Sequence, residues 1–182
     1  VRYAKKIVEL DLDDYLLRQT LAGLLIRQRK VAEAIKMMEQ AAKSRKLDHH
    51  SAAYVKVMNS LGLLYLGTGR QAAAADCYKV VFEALQNPKR FKLDDRTRRG
   101  LLADPKSSFE QMGRVFLAAK KPELAEAAFR ADADAGRGDP GTLGFNLAGV
   151  YLQSGRPKPA LKQLEKYFDR KLKTRGRAAY QL

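Results

Sequence analysis

Cysteine is nearly absent from this chain, and the chemistry that depends on it goes with it. Cys77 stands alone in 182 residues, which excludes an internal disulfide and any cysteine-based metal cluster. Set among helix-forming residues, it reads as a small buried hydrophobe. Histidine is equally scarce: the two present are neighbours, His49 and His50. Adjacent residues on a helix point in different directions, and no Cys or carboxylate cluster nearby completes a metal site, so the pair reads as loop or helix start. No uninterrupted apolar run is long enough to cross a bilayer, and no charged–apolar–small leader opens the sequence. With neither feature present, a soluble, cytoplasmic segment is the default expectation. Ser-His-Asp groupings, nucleophile elbows and phosphate-cradling glycine loops are also missing. The glycine-rich run from Gly136 to Gly141 follows a helical pattern instead of a strand, so it reads as an inter-repeat loop. Asp94 with Asp95 and Asp132 with Asp134 could suggest acid–base work, but each pair lies among arginines and reads as charge balance. These absences point away from an enzyme, and no cofactor or metal is expected.

Acidic side chains are outnumbered as well. Twenty Asp and Glu face thirty-five Lys and Arg, for a formal net charge of +15 and a pI near 10.0. Such a surface attracts polyanions: nucleic acid, anionic headgroups or acidic proteins.

What the chain has in plenty is internal repetition. Leu61 and Gly62 are followed by Tyr65, then by Ala74 nine residues on and Tyr78 one turn later. The same offsets give Met112, Gly113, Phe116, Ala125 and Phe129; Leu147, Ala148, Tyr151, Ala160 and Leu164; and Leu21, Ala22, Leu25, Ala34 and Met38. Each copy reads as two antiparallel helices joined by a tight turn. The turns fall at Gln28, Arg29 and Lys30; at Thr68, Gly69 and Arg70; at Lys120, Lys121 and Pro122; and at Ser154, Gly155, Arg156 and Pro157. Glycine takes the left-handed conformation cheaply at a helix end, and proline suits the first turn of the next helix. The small residues, such as Gly62 with Ala74, are expected to let the paired helices approach to the short end of about 8–10 Å.

On these residues the chain resembles the tetratricopeptide repeat family. Met58, Leu61, Gly62, Tyr65, Ala74 and Tyr78 fill the family's large, small and aromatic positions, and Phe109, Met112, Gly113, Phe116, Ala125 and Phe129 fill them again. The other two copies depart from the pattern, with Arg18 and Gly144 where a large apolar residue is usual. The alanines are 40, 51 and 35 residues apart, against a family period of about 34. The excess lies around 43–51 and 86–106, and the second stretch is expected to hold a short helix across Leu93–Leu102. The resulting layout is the end of a preceding repeat at 1–13, repeats at 14–47 and 54–87, an insertion at 88–104, repeats at 105–139 and 140–173, and the start of a further repeat at 174–182. This reads as a segment of a longer array, with self-association expected through partial repeats that leave Ile7, Val8, Tyr180 and Leu182 without cover.

The resemblance implies an all-α fold of stacked helix pairs, a right-handed superhelical α-solenoid whose concave groove is lined by the first helix of each repeat. Carried onto this chain by helix phase, the groove candidates are Gln19, Asn59, Leu63, Gln111, Arg114, Phe145 and Asn146. Amides there could bond an extended peptide backbone, while Leu63 and Phe145 take apolar side chains. The family's chaperone-binding branch clamps a terminal carboxylate with lysines and asparagines. Gln19, Gly23, Ser60 and Ser107 occupy the matching places here, which disfavours that clamp. Positive charge gathers elsewhere, in Lys89, Arg90, Lys92, Arg96, Arg98 and Arg99 of the insertion and in Lys158, Lys162, Lys166 and Arg170 at i, i+4 spacing. These clusters either bind a polyanion or serve as solvated faces, and Glu165 and Asp169 beside the second favour solvation. The leading expectation is a non-catalytic scaffold that binds a protein or peptide partner, acidic in character if the clusters take part. A nucleic-acid-binding helical repeat is the alternative, and a structural spacer the third.

Overall fold

The computed structural model describes residues 13–103, 108–136 and 140–175, and side chains for all of these but 140 and 170–175. The partial repeats expected at the two ends therefore lie outside the described residues, as do Ser107, residues 137–139 of the glycine-rich run and the side chain of Arg170. The helices are α1 (Tyr15–Arg27), α2 (Val31–Ala42), α3 (Ala52–Gly67), α4 (Gln71–Gln86), α5 (Asp95–Ala103), α6 (Phe109–Ala118), α7 (Pro122–Asp134), α8 (Pro140–Gln153) and α9 (Pro157–Arg175). No strand occurs among the described residues. The chain is all-α, built from helix-pair repeats, and divides into two compact units, Val1–Leu101 and Leu102–Leu182.

Each pair closes with the same turn. Arg29, Gly69, Lys120 and Gly155 all have positive φ, between 57° and 74°. The next amide reaches back to the helix in every case: Lys30 to the Leu25 carbonyl, Arg70 to Tyr65, Lys121 to Phe116 and Arg156 to Tyr151, at 2.9, 2.9, 2.8 and 2.7 Å. This left-handed stop satisfies carbonyls that the helix leaves orphaned. Glycine supplies it twice; Arg29 and Lys120 adopt it at a steric cost. Three first helices begin on a side-chain cap. Asp14 accepts from the Leu16 and Leu17 amides, Ser51 from Tyr54 and Ser108 from Gln111, each covering an orphan donor of the first turn.

In the first unit α1 packs on α2 and α3 on α4, with α2 also against α3. The core runs through Leu21, Leu25, Ile35, Met38, Val57, Leu61 and Cys77. Burial pushes the Cys77 thiol up to about 12. Tyr65 donates to Glu39 across α2 and α3 at 2.6 Å; burial, then that carboxylate, raises its pKa above the ordinary tyrosine value. Arg18 is buried and bonds Gln40 of α2, so the departure from an apolar residue is absorbed by a polar pair inside the hairpin.

In the second unit α6 packs on α7 and α8 on α9, α7 packs on α8, and α6 touches α8. Phe109, Met112, Phe116, Ala125, Phe129, Leu147, Val150 and Tyr151 form its core. Here the expected small-on-small crossing takes a different form. A Cβ on Gly113 would lie 2.5, 2.6 and 2.9 Å from three ring atoms of Phe129, and one on Gly62 would lie 3.3 Å from Cys77 and Tyr78. The glycine is thus faced by the aromatic one turn beyond the alanine, because a ring laid across the crossing fills the space that the missing Cβ leaves. At Gly144 the close neighbour is backbone and not a ring: a Cβ there would stand 3.0 Å from the Gln163 carbonyl oxygen.

The insertion holds the expected short helix, α5. Before it, Lys92 has φ 50° and the Leu93 amide bonds the Pro88 carbonyl at 2.9 Å, which turns Phe91 and Leu93 into the core. Asp94 accepts from the Thr97 amide at 2.6 Å, a bond that holds its pKa below the usual carboxylate value.

Candidate functional site

The first helices carry the candidate groove residues, and the two units display them differently. In the first unit Gln19 on α1 and Asn59 and Leu63 on α3 are half-buried. In the second, Gln111 and Asn146 are half-buried while Arg114 and Phe145 are exposed, Phe145 at 56%. Arg114 is held by Glu110 one turn earlier, 2.6 Å away. Phe145 stands beside Tyr167 of α9, ring centroids 5.6 Å apart, and Tyr167 meets Phe168 edge-on at 5.4 Å.

Between α6, α7 and α8 lies a recess of about 230 Å³, counting its solvent-open mouth, lined by Glu110, Phe129, Asp132, Ala133, Thr142, Leu143 and Asn146. Even with its open mouth counted, that volume is below the roughly 300–1,000 Å³ of small-molecule sites, so the recess is too small for a cofactor. Of the candidate groove residues only Asn146 lines it. Glu110 and Thr142 were not singled out from the sequence. The register held the cue for Glu110, which occupies the repeat position of Gln19, Asn59 and Phe145, fifteen residues ahead of the alanine. Asp132, read from the sequence as charge balance, is 7% exposed. Two helical turns beyond Ala125, it shares that residue's inward face.

Beside the recess, α7 and α8 are joined by a polar cluster. Arg130 donates to Glu126 at 2.7 Å and to the Tyr151 hydroxyl at 3.0 Å, and that hydroxyl donates to Glu126 at 3.1 Å. The Arg130 bond, then the Tyr151 hydroxyl, holds Glu126 below the usual carboxylate value against the opposing effect of burial.

The basic residues of the insertion divide by role. Lys92 pairs with Asp48 at 2.8 Å, and Arg90 Nη2 lies 3.3 Å from His50 Nε2. His50 packs by Phe91, ring centroids 5.7 Å apart, and His49 stacks on Tyr54 at 4.4 Å. These contacts fasten the insertion to the loop before α3, the place the two histidines were expected to occupy. Arg99 donates to the Asp95 carbonyl at 3.2 Å. Lys89, Arg96 and Arg98 are exposed. On α9, Lys158, Lys162 and Lys166 are exposed, as are Glu165 and Asp169 beside them. Among the described residues no group of three His, Cys, Asp or Glu is placed to hold a metal ion, and no helix is long and apolar enough to cross a membrane.

Antiparallel helix pairs with one repeated turn, a glycine under an aromatic ring at two of the crossings, and second helices packed on the next first helix within each unit define a helical-repeat fold. The family model for the tetratricopeptide repeat matches residues 15–87, the first two helix pairs. The fold resembles the nearly identical TPR-like repeats of a Podosopora anserina protein assigned as a kinesin light chain. That match has 17% identity and TM-score 0.56, and covers 94% of this chain and 85% of that one. It also resembles the MamA protein, at 17% identity and TM-score 0.50 over 100% of this chain and 84% of that one. At these identities the likeness is one of fold. No curated protein matches the chain.

Proposed function

We propose that the chain is a non-catalytic scaffold that binds a partner protein along its first helices, taking one partner side chain into the recess of the second unit. The observation that supports this is the pairing of that recess with exposed Phe145. A polar pocket for one side chain lies beside an apolar platform, on the helices that the repeat presents for recognition. Asn146 offers both a donor and an acceptor at the recess, and Phe145 offers apolar area at little entropic cost. Glu110 and Asp132 favour a polar or basic group in the recess over a carboxylate.

The test is selection of ligands from a random peptide library on the 182-residue chain, followed by fluorescence anisotropy with the selected peptide. Phe145→Ala and Asn146→Ala are each expected to weaken binding about tenfold, equivalent to about 1.4 kcal/mol. Reversing Arg96, Arg98 and Arg99 to Glu should leave the affinity within about twofold at moderate salt. Full affinity in both groove variants, with loss in the arginine variant, overturns the reading. That second outcome would favour polyanion binding, to which exposed Arg96 and Arg98 lend support. Duplex DNA would then bind with a log–log salt slope of about −0.9 per phosphate contact.

A further inference from the structure

The recess of the second unit differs in charge from the molecule around it. Among its described lining residues Glu110 of α6 and Asp132 of α7 are acidic and none is basic, whereas the whole chain has a formal net charge of +15. Thr142 and Asn146 of α8 add a hydroxyl and an amide, so three helices bring oxygen acceptors to one place. Phe129, Ala133 and Leu143 supply apolar wall between them. A long basic side chain suits such a lining, its aliphatic stem on the apolar wall and its charged head among the acceptors.

Two of these groups have bonding capacity to spare. The half-buried Asn146 amide makes no hydrogen bond to the described residues. Glu110 receives Arg114 Nη2 on Oε1 at 2.6 Å, and its Oε2 takes no bond from the described residues. The Arg114 side chain is 59% exposed and is not among the lining residues. An exposed i, i+4 ion pair of this kind holds weakly. An incoming cation can therefore take over the carboxylate and leave the Arg114 guanidinium in water.

We propose that the recess takes a basic side chain, lysine or arginine, from a partner peptide, bound between Glu110 and Asn146 in competition with Arg114. This rests on the groove reading above and adds to it the chemical class of the side chain. The field of the whole molecule works against the assignment: a chain of net charge +15 draws acidic peptides. A preference for a basic residue therefore has to come from the recess itself. Salt separates the two effects, because it screens the long-range field more than a contact inside the recess. Added salt should sharpen the preference.

The test presents the 182-residue chain with three peptide libraries, identical except for one fixed central residue: lysine, glutamine or glutamate. Selected lysine peptides and their matched glutamine and glutamate versions are then titrated by fluorescence anisotropy at about 0.15 M and about 0.5 M salt. The lysine peptides are expected to bind at least about tenfold more tightly than the glutamine versions, and Glu110→Gln should remove most of that difference. Arg114→Gln should raise the affinity of the lysine peptides about twofold, the worth of the ion pair it breaks, and leave the glutamine versions unchanged. A lysine peptide that Phe145→Ala weakens, but that binds no better than its glutamine version, overturns the basic-residue assignment and leaves the groove reading standing. So does a lysine preference that survives Glu110→Gln, or tighter binding of the glutamate version at the higher salt. Peptides indifferent to both Phe145→Ala and Asn146→Ala overturn the groove reading and the assignment together.

Discussion

The crossing of α6 and α7 gives the sharpest test of the packing. Gly113→Ala adds one methyl group where three ring atoms of Phe129 lie within 2.5–2.9 Å of the new Cβ. Ordinary contact needs about 3.5–4.0 Å, so ring and helix must separate by close to an ångström. Phe129 is 2% exposed and cannot swing out to solvent, so the whole hairpin has to open. Overpacking of this kind costs about 1–3 kcal/mol, against a gain of about 1 kcal/mol for replacing a helical glycine. The expected net loss is up to about 2 kcal/mol, or up to roughly 8 °C in melting temperature at 2–4 °C per kcal/mol.

Two other glycines calibrate that number. At Gly62 the same methyl meets Cys77 and Tyr78 at 3.3 Å, and at Gly67 it meets nothing within 4 Å. Gly62→Ala should therefore fall within about 0.5 kcal/mol of the parent, and Gly67→Ala should gain up to about 1 kcal/mol. Urea and thermal unfolding followed at 222 nm should rank Gly113→Ala below Gly62→Ala and Gly62→Ala below Gly67→Ala. Phe129→Leu, which makes room at the crossing, should be less damaging in the Gly113→Ala background than alone, a coupling read from the double-mutant cycle. A Gly113→Ala chain at least as stable as Gly67→Ala would refute the placement of Phe129 over Gly113 and, with it, the register of the hairpin.

Three further outcomes follow from the same contacts. Arg29→Gly and Lys120→Gly relieve a left-handed strain of about 1–2 kcal/mol at an entropic cost of about 0.5–1 kcal/mol. Each should therefore raise the melting temperature, while Gly155→Ala should lower it; a drop on Arg29→Gly would contradict the turn. The Cys77 thiol, pushed up to about 12 by burial, should resist aromatic disulfide reagents at pH 8 until denaturant is added, and rapid labelling of the native chain would refute its burial. The folded Glu126 lies below its unfolded value near 4.5, so its contribution to stability is complete above that pH and is lost as pH falls through the folded value. Glu126→Gln should accordingly flatten the acid limb of a melting-temperature profile from pH 7 to 3, and an unchanged limb would show that Arg130 and Tyr151 do not hold the carboxylate.

The fold was legible because its information sits at fixed positions. Offsets among Leu61, Gly62, Tyr65, Ala74 and Tyr78 located four turns, two of which, at Arg29 and Lys120, lack the glycine that marks such a turn by itself. What the offsets could not show was how near the aromatic comes: Tyr78 and Phe129 hold the same repeat position, yet a Cβ would meet them at 3.3 Å on Gly62 and at 2.5 Å on Gly113. Arg18 and Gly144 looked like decay of the pattern and are accommodations: a buried guanidinium that finds Gln40, and an absent Cβ beside the Gln163 carbonyl. Charge was the least legible quantity. Lys92 and Asp48, paired at 2.8 Å, are 44 residues apart, and the inward turn of Asp132 depends on its phase on α7, which its arginine neighbours in the sequence concealed.

The repeat also explains why a partner is harder to read than the scaffold. The position fifteen residues ahead of each alanine holds Gln19, Asn59, Glu110 and Phe145 in turn: two amides, a carboxylate and an aromatic ring. Its neighbours Leu21, Leu61, Met112 and Leu147, two residues on, are all large and apolar and all buried. Packing constrains the second position because any polar group there would lose water without a partner. The first is exposed or half-buried in every repeat, so stability leaves its chemistry open. On the proposed reading this is where specificity resides, one chemistry per repeat. Exchanging Glu110 for the asparagine found at the same place in α3 should then alter which peptides bind while leaving the melting temperature within about 0.5 kcal/mol of the parent's stability. Unchanged peptide selection by Glu110→Asn would place recognition elsewhere on the chain.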